Sequence, residues 1–220
     1  MTNFSGDHVN STVIQKFFID GPAGKLEVIL GEPESAPQGI AIIAHPHPLH
    51  GGTMENKVVH TLFNTLLELE FITVKFNFRG VGQSEGAFDH GSGEIDDVIT
   101  VTQTIRSQFS NHVTDVPLLL AGFSFGGAIQ LHVAEKLNPE FLILVAPSVV
   151  NLNAPAVPKT TQCALIIQGD DDDIVLPDAV LTWAAPTSQP IVFIPGAEHF
   201  FHGKLAILKH VILRVFARKT

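Results

Sequence analysis

The sequence has 220 residues, is 45% hydrophobic, and carries a formal net charge of −9 because 22 acidic residues outnumber 13 lysines and arginines. This length and apolar content predict a single domain over residues 1–220 with a sizeable core, and they exclude a largely disordered chain. The acidic balance and the lack of a basic cluster interleaved with aromatic residues argue against nucleic acid as a partner.

The N-terminal segment and the cysteine content indicate where the protein acts. Residues 1–11 are polar and lack the basic start and apolar core of a secretory signal, and no run approaches the roughly twenty apolar residues of a membrane span. The single cysteine, Cys163, has no partner for an internal disulfide bond, which fits a reducing compartment. We therefore expect a cytoplasmic protein without a membrane partner.

The first predicted elements form an antiparallel hairpin. Residues 12–20 and 24–30 have the pattern of strands, and the Gly-Pro-Ala-Gly turn between them indicates that they pair at one edge of a sheet. After a loop with two prolines, the continuous apolar run that begins at Gly39 is typical of a strand buried inside a parallel sheet.

A helix and a further strand follow. Apolar residues recur at helical spacing over residues 55–70, which predicts a helix that faces the core. Residues 71–78 then predict a strand in which apolar residues alternate with Thr73, Lys75 and Asn77. This alternation predicts that the strand is less completely buried than its neighbours.

Strands and helices alternate over the rest of the chain. Apolar runs predict strands at residues 117–121, 141–147, 163–170 and around residue 190. Helical periodicity predicts apolar helix faces within residues 95–105, 128–137, 176–185 and 204–218. This alternation from residue 39 onward predicts an α/β fold, with a mostly parallel sheet covered by helices on both faces.

A Gly-x-Ser-x-Gly signature lies where an apolar strand meets the following helix. A serine in such a corner must adopt a strained backbone conformation, which is tolerable only if small residues flank it. Gly122 and Gly126 provide that space around Ser124, and Gly127 allows the helix to pack closely. The amide of Phe125 and the positive end of the helix dipole would stabilise an oxyanion beside the serine. The pattern predicts that Ser124 is a nucleophile.

Two further groups are needed to activate a serine, namely a histidine that accepts its proton and an acid that orients the histidine. Reactive groups gather at the carboxyl ends of strands in an α/β sheet, so both should follow strands downstream of Ser124. His199 follows the last predicted strand and is the candidate base, whereas His202 could instead begin the last helix. Four aspartates, Asp170 to Asp173, follow the preceding strand and compete as the acid. They could also hold a cation, but no matching set of ligands accompanies them, so we predict no metal.

The histidine-rich segment at residues 45–52 allows two interpretations. Its three histidines, His45, His47 and His50, could bind zinc, but its prolines make the segment extended and no ligand pair has i, i+4 spacing. The same segment could supply backbone donors to an oxyanion. Because proline lacks an N–H group, the donors within residues 45–48 are the amides of His45 and His47.

Five segments are similar to motifs of the α/β-hydrolase superfamily and of its small dienelactone-hydrolase-like members. They are AHPHPLHGGTMENKVV (44–59), FNFRGVGQSEG (76–86), GEIDD (93–97), AGFSFGG (121–127) and GAEHFFHGKL (196–205). The resemblance spans residues 39–210 and implies the α/β-hydrolase fold and acyl-ester chemistry without a cofactor. It does not imply a substrate, because members of the superfamily hydrolyse esters, thioesters, lactones and peptides.

The resemblance also assigns a catalytic triad. In the order nucleophile, acid and base that is usual for this fold, the triad is Ser124, Asp172 and His199. Asp172 is chosen because the pattern Gly-x-x-Asp-x-x-Val at residues 169–175 resembles the usual acid loop of the superfamily. Asp170 and Asp173 are the reserve choices.

The resemblance implies an oxyanion hole formed by the amides of His47 and Phe125, and it shows two departures. Dienelactone hydrolase itself has a cysteine at the elbow, so Ser124 weakens any claim to that particular reaction. Many hydrolases carry Asp-x-Arg-Gly after the fourth strand, whereas Asn77 stands in the position of the aspartate here. We interpret Arg79 as a residue that fixes its loop, not as a substrate clamp, because a buried loop needs donors for its carbonyl groups.

The segment from Ser148 to Gln162, where this superfamily often inserts a lid, is too short for a helical cap. We expect an open site with a wall formed by Val149, Val150, Leu152 and the Pro155/Pro158 segment. Phe200 and Phe201 are candidates for a second wall, although at least one of them should pack in the core. An open site favours small or flexible acyl groups with little selectivity.

Together these features predict a serine hydrolase that cleaves ester or thioester bonds of small acyl substrates through an acyl-enzyme. A peptidase of the same fold is the nearest alternative. A non-catalytic hydrolase-fold protein that binds a ligand or a protein partner is another, although such a protein has no need of three reactive side chains in register. A metal-dependent hydrolase that uses His45, His47 and His50 is the third.

Overall fold

Eight strands form one sheet in a computed structural model that describes residues 13–109 and 116–217. The strands are β1 (Val13–Gly21), β2 (Gly24–Glu32), β3 (Gly39–Ala44), β4 (Phe71–Phe76), β5 (Leu118–Phe123), β6 (Phe141–Val145), β7 (Cys163–Gly169) and β8 (Ile191–Ile194). The helices are α1 (Lys57–Glu68), α2 (Ser92–Phe109), α3 (Phe125–Leu137), α4 (Pro177–Ala184) and α5 (Leu205–Phe216). Thr12 and Arg218, which the sequence predictions include in the first strand and the last helix, lie outside the described residues.

The sheet order is β1-β2-β4-β3-β5-β6-β7-β8. β1 and β2 pair antiparallel, as do β2 and β4, and the other neighbouring strands run parallel. This confirms the mostly parallel sheet with an N-terminal hairpin. The winding direction reverses between β3 and β5, and open α/β sheets bind ligands beyond the carboxyl ends of the strands at such a point. Ala44 pairs with Gly122 there, so the loops after β3 and β5 begin side by side.

Helices cover both faces of the sheet, as the alternation of elements predicts. On one face, α1 and α5 contribute Leu62 and Leu208 to a buried apolar cluster. On the other face, α2, α3 and α4 contribute Ile105, Ile129 and Val180 to a second cluster. Burial of these apolar side chains is the main stabilising contribution to the fold. None of the helices in the described ranges has both the length and the apolar character needed to cross a membrane.

The burial of β4 corrects a sequence prediction. Every residue of β4 is buried, including Thr73 and Lys75, so the expectation of less complete burial was wrong. β4 lies inside the sheet between β2 and β3, and its polar groups have partners there. The ammonium of Lys75 lies 3.1 Å from the carboxylate of Glu55 and sits over the ring of Phe63. The Thr73 hydroxyl donates to the carbonyl of Phe71 at 3.0 Å.

Candidate active site

Ser124 lies in a sharp corner between β5 and α3. Its backbone angles, φ 54° and ψ −116°, are strained for a residue with a side chain. A Cβ atom on Gly126 would collide with the carbonyl oxygen of Ala44, and one on Gly122 would collide with the backbone of Gly126. Both positions therefore require glycine, and the strained corner predicted from the Gly-x-Ser-x-Gly pattern is present.

The structure brings together the serine, histidine and aspartate that the sequence analysis selected. The hydroxyl oxygen of Ser124 lies 3.0 Å from Nε2 of His199. Nδ1 of His199 lies 2.8 Å from Oδ2 of Asp172. All three residues are buried, with 7%, 3% and 3% of their surface exposed for Ser124, His199 and Asp172, respectively. Through these hydrogen bonds, His199 can accept the proton of the Ser124 hydroxyl, and Asp172 can hold the imidazole in the orientation that this transfer needs.

Asp172 is held by several donors besides His199. The amides of Ile174 and Val175 donate to its Oδ1 at 3.0 and 2.8 Å. Burial alone would raise the pKa of Asp172, but the hydrogen bond and charge of His199 and these two amides lower it below its ordinary value of 3.8. Asp172 is therefore ionised at neutral pH. A carboxylate at this position favours a proton on Nδ1 of His199 and leaves Nε2 free to accept the serine proton.

The reserve residues lie elsewhere. Asp170 is exposed and accepts a hydrogen bond from the amide of Gly196 at 2.6 Å, and Asp173 is exposed. His202 is also exposed, and its Nδ1 lies 3.0 Å from the carboxylate of Glu198. Within the described part of the chain, none of these three side chains forms a hydrogen bond with Ser124 or His199.

The loop after β8 fixes the imidazole of His199. The carboxylate of Glu198 accepts hydrogen bonds from the amides of Phe200 and His202 at 2.9 and 2.6 Å. The ring of His199 packs against both Phe123 and Phe200, with centroid distances of 4.9 and 5.2 Å. Phe200 lies at the mouth of the site, whereas Phe201 is fully buried in the core. One of the two predicted wall residues thus faces the site and the other packs inside the protein.

The loop after β3 brings His47 to the cavity beside Ser124 and His199. A cavity of about 130 Å³ is lined by His47, Ser124 and His199, among others. Within the described residues, no backbone acceptor lies in hydrogen-bond range of the His47 amide. Phe125 is the first residue of α3, so its amide has no acceptor within the helix. Neither predicted oxyanion donor is therefore paired with a backbone acceptor in the described residues, and both follow the neighbouring ends of β3 and β5.

The buried imidazole of His45 is a feature that the sequence analysis missed. Its Nδ1 lies 2.7 Å from the carbonyl oxygen of Pro46, and its Nε2 accepts from the amide of Phe78 at 3.1 Å. Burial lowers the pKa of His45 to about 4, although the Pro46 carbonyl partly opposes this effect. His45 is therefore neutral, and it ties the loop after β3 to the end of β4. Because both ring nitrogens of His45 form hydrogen bonds, neither is available to bind a metal ion. In residues 13–109 and 116–217, no group of three or more histidine, cysteine, aspartate or glutamate side chains is arranged to hold a metal ion.

Gln168 is a second residue that the sequence analysis missed. Its side chain is fully buried, and its Nε2 donates to Oδ2 of Asp172 at 3.0 Å and to the carbonyl of Val175 at 2.9 Å. It thereby holds both the acid and the turn that follows. The signal was available in the sequence, because Gln168 is the one amide side chain in the otherwise apolar run CALIIQG.

Arg79 fixes the loop after β4, as its interpretation from the sequence predicts, but through a different partner. Its guanidinium lies 2.7 Å from Oδ1 of Asp97, and its amide donates to Oδ2 of the same carboxylate at 3.0 Å. The hydrogen bond between the guanidinium and the Asp97 carboxylate raises the pKa of Arg79. The loop is thus anchored to a carboxylate on α2, and Arg79 is not among the described residues that line the catalytic cavity.

The segment after β6 leaves the site open. Residues 148–162 contain neither helix nor strand, which agrees with the predicted lack of a cap. Val149 and Val150 line cavities beside the catalytic one, as expected for a wall. Leu152, in contrast, packs against the core, and Pro155 uses its carbonyl to accept a hydrogen bond from the indole of Trp183 at 3.2 Å. The wall is therefore shorter than predicted.

Comparisons with known proteins agree with this architecture. Residues 43–170 match the family model described as serine aminopeptidase, S33. The chain is 32% identical over 201 residues to an uncharacterised protein of Rickettsia prowazekii, covering 86% of this chain and 83% of that one. It is 38% identical to an α/β serine hydrolase without a lid from Xanthomonas campestris, with a TM-score of 0.85 and coverage of 94% and 96%.

A more distant relative has a named activity. The chain is 26% identical over 155 residues to the monoglyceride lipase of Mus musculus, and this match covers 68% of the chain but 46% of the lipase. The chain thus spans less than half of that protein. The family model, by contrast, covers more than half of the chain, and the lidless serine hydrolase is matched over nearly its whole length. The protein belongs to the α/β-hydrolase superfamily of serine hydrolases.

Proposed function

We propose that the protein cleaves ester or thioester bonds of small acyl substrates through a covalent acyl-enzyme. The observation that supports this most directly is the continuous chain of hydrogen bonds from Asp172 through His199 to Ser124. In this proposal Nε2 of His199 takes the hydroxyl proton while Ser124 attacks the carbonyl carbon. The negative charge that develops on the carbonyl oxygen is held by the amides of His47 and Phe125.

The second half of the reaction uses the same groups. His199 donates its proton to the leaving group, and Asp172 stabilises the imidazolium in the interval without becoming protonated. A water molecule, deprotonated by His199, then attacks the acyl-enzyme and frees the acid. The low pKa of Asp172 supports this role, because the carboxylate must remain charged throughout.

The composition of the catalytic cavity favours an ester over the substrate of an aminopeptidase. An aminopeptidase must hold the terminal ammonium of a peptide, which calls for an acidic side chain near the scissile bond. Among the residues that the structure describes, those that line the catalytic cavity include no aspartate or glutamate. The mouse relative is named a monoglyceride lipase, and this name also favours an ester over a peptide as the substrate. A peptidase remains the second candidate, because the matched family model is described by an aminopeptidase.

Three narrower expectations accompany this proposal. The open site favours a small acyl substrate, and Ser124 in place of the cysteine of dienelactone hydrolase weakens any claim to that enzyme's reaction. The free thiol of Cys163 is consistent with action in the cytoplasm. The net charge of −9 argues against nucleic acid as a partner.

The test is intact-mass analysis after treatment with a fluorophosphonate. We expect rapid single labelling of the wild type and of Ser35→Ala, an exposed serine in the β2–β3 loop, and no labelling of Ser124→Ala or His199→Ala. Circular dichroism would verify that each variant is folded. A folded wild type that is not labelled would contradict the proposal and favour a non-catalytic binding protein.

A substrate panel then separates the two enzymatic candidates. We expect turnover of p-nitrophenyl acetate and of a simple acetyl thioester, and little turnover of aminoacyl p-nitroanilides. The reverse preference would favour the peptidase.

A further inference from the structure

The catalytic cavity adjoins two further cavities. Ile174 lines both the catalytic cavity and a neighbouring cavity of about 240 Å³. Val149, Val150 and Ala179 line both this second cavity and a third one of about 540 Å³, which extends to Trp183. We call the second and third cavities together the side groove. It runs between the segment after β6 and the segment from Ile174 to α4.

The side groove exposes an unusual amount of apolar surface next to the reactive serine. Val150, Ile174 and Leu176 have 64%, 59% and 58% of their surface exposed. Large apolar side chains that are exposed together indicate a surface that binds an apolar partner. Because Ile174 lines both the catalytic cavity and the side groove, the apolar partner that fits there is part of the substrate.

The walls of the side groove are held in place without a ligand. The indole N–H of Trp183 donates to the carbonyls of Ala154 and Pro155 at 3.1 and 3.2 Å, which ties α4 to the segment after β6. The backbone of Val175 is held by Gln168 and Asp172. Preorganised walls lower the entropy lost on binding. Ala179 lines both cavities of the side groove, and its small side chain keeps the groove wide.

We propose that the side groove binds an unbranched apolar chain on one side of the scissile bond, so that the enzyme prefers esters with a chain of medium length. This inference rests on the proposed function and refines it, because an open site with no groove would select little by chain length. Asp178 lines the third cavity and does not line the other two. This carboxylate disfavours an anionic group at the end of the chain and favours a neutral one.

The expected effect is a rise in kcat/KM with chain length. Each methylene group that the groove removes from water should raise kcat/KM by up to about fourfold, and by less where the groove is open to solvent. From a four-carbon to an eight-carbon chain, we expect a total rise of at least about tenfold. The rise should stop once the chain extends beyond the groove.

The experiment uses two ester series below their micellar concentrations. One is p-nitrophenyl esters from acetate to octanoate, and the other is alkyl acetates from ethyl to octyl. A rise with length in either series supports the proposal and identifies whether the acyl or the alcohol chain occupies the groove. Flat profiles in both series would overturn it.

Variants of the groove provide the matched comparison. Val150→Asn, Leu176→Asn and Ala179→Phe should each lower the ratio of octanoyl to acetyl kcat/KM by at least about threefold. Leu181→Asn is the control, because Leu181 lies on α4, is 45% exposed and does not line the groove. An unchanged ratio in all three groove variants, or an equal fall in Leu181→Asn, would contradict the inference.

Trp183 gives a readout that does not depend on turnover. It is the single tryptophan of the sequence, and it lines the groove. We expect 1-octanol, but not 1-butanol at the same concentration, to change its fluorescence in a saturable way, and Val150→Asn to weaken this effect. No saturable change with 1-octanol would overturn the groove assignment even if esters are hydrolysed. A saturable change in a protein that fluorophosphonate does not label would instead support the groove and contradict the proposed function.

Discussion

At the scale of single residues, the four consecutive aspartates at 170–173 differ in burial, because only the side chain of Asp172 is buried. Asp172 is buried and accepts from His199, from Gln168 and from two amides of the turn that follows it. Asp173, one residue on, is exposed. The side chains are chemically identical, so the structural environment alone decides which of them can orient the imidazole.

The first prediction follows from this difference. Asp172→Asn should lower kcat/KM for ester hydrolysis by up to about 10⁴-fold, because an amide does not stabilise the imidazolium and favours the wrong tautomer of His199. Asp173→Asn should change kcat/KM by less than about twofold, since the side chain lies in solvent. Steady-state hydrolysis of p-nitrophenyl acetate measures both. Equal losses in the two variants would show that the acid had been assigned to the wrong aspartate.

At the scale of elements, the site depends on how closely the loop after β3 approaches the corner after β5. Gly126 allows α3 to start against the carbonyl of Ala44, and Gly52 folds the loop back against Pro46. His45 adds hydrogen bonds within the loop and to β4. The amide of His47 owes its position to these contacts and to the packing of its own ring against Phe88 and Phe125, at centroid distances of 5.0 and 4.9 Å.

A pair of adjacent glycines tests this dependence. A Cβ atom on Gly52 would collide with the Pro46 carbonyl, so Gly52→Ala must displace the loop and should lower kcat by about 10²-fold, as losing an oxyanion donor does. Gly51→Ala meets open space but has a φ of 76°, so it should cost about 1 kcal/mol of stability with a much smaller loss of kcat. Urea unfolding and steady-state kinetics separate the two effects. A fall in kcat as large in Gly51→Ala as in Gly52→Ala would contradict the role given to the loop position.

At the scale of the whole molecule, the neutral buried imidazole of His45 makes folding depend on pH. The pKa of His45 is about 4 in the folded protein and 6.5 in an ordinary environment. The unfolded chain therefore binds more protons between these values, and the stability present above pH 6.5 is lost as the pH falls toward 4. The carboxylate of Asp172, whose pKa is lowered from 3.8, loses its contribution only at still lower pH.

Urea unfolding at two pH values measures this effect. Between pH 7 and pH 5, the wild type should lose about 2 kcal/mol of its free energy of unfolding through His45. His45→Asn should lose correspondingly less over the same interval, although it is less stable at pH 7. His60→Asn, which replaces an exposed histidine on α1, should retain the dependence of the wild type. A His45 variant with the full wild-type dependence would mean that another group titrates.

The sequence by itself determined the order and type of the elements and the corner around Ser124. Both depend on local rules, namely the period at which apolar residues recur and the steric limits that require Gly122 and Gly126. The presence of His199 at the site could also be predicted, because it follows the last strand and the carboxyl ends of parallel strands lie at one edge of the sheet.

Only the tertiary structure decided which distant groups meet. The burial of Lys75 depends on its contact with Glu55. Asp172 differs from the neighbouring aspartates because it contacts Gln168 and His199. The walls of the side groove depend on the hydrogen bonds from Trp183 to Ala154 and Pro155. A buried polar group is stable only when it has a partner. That partner is supplied by another element, so no local pattern could name it.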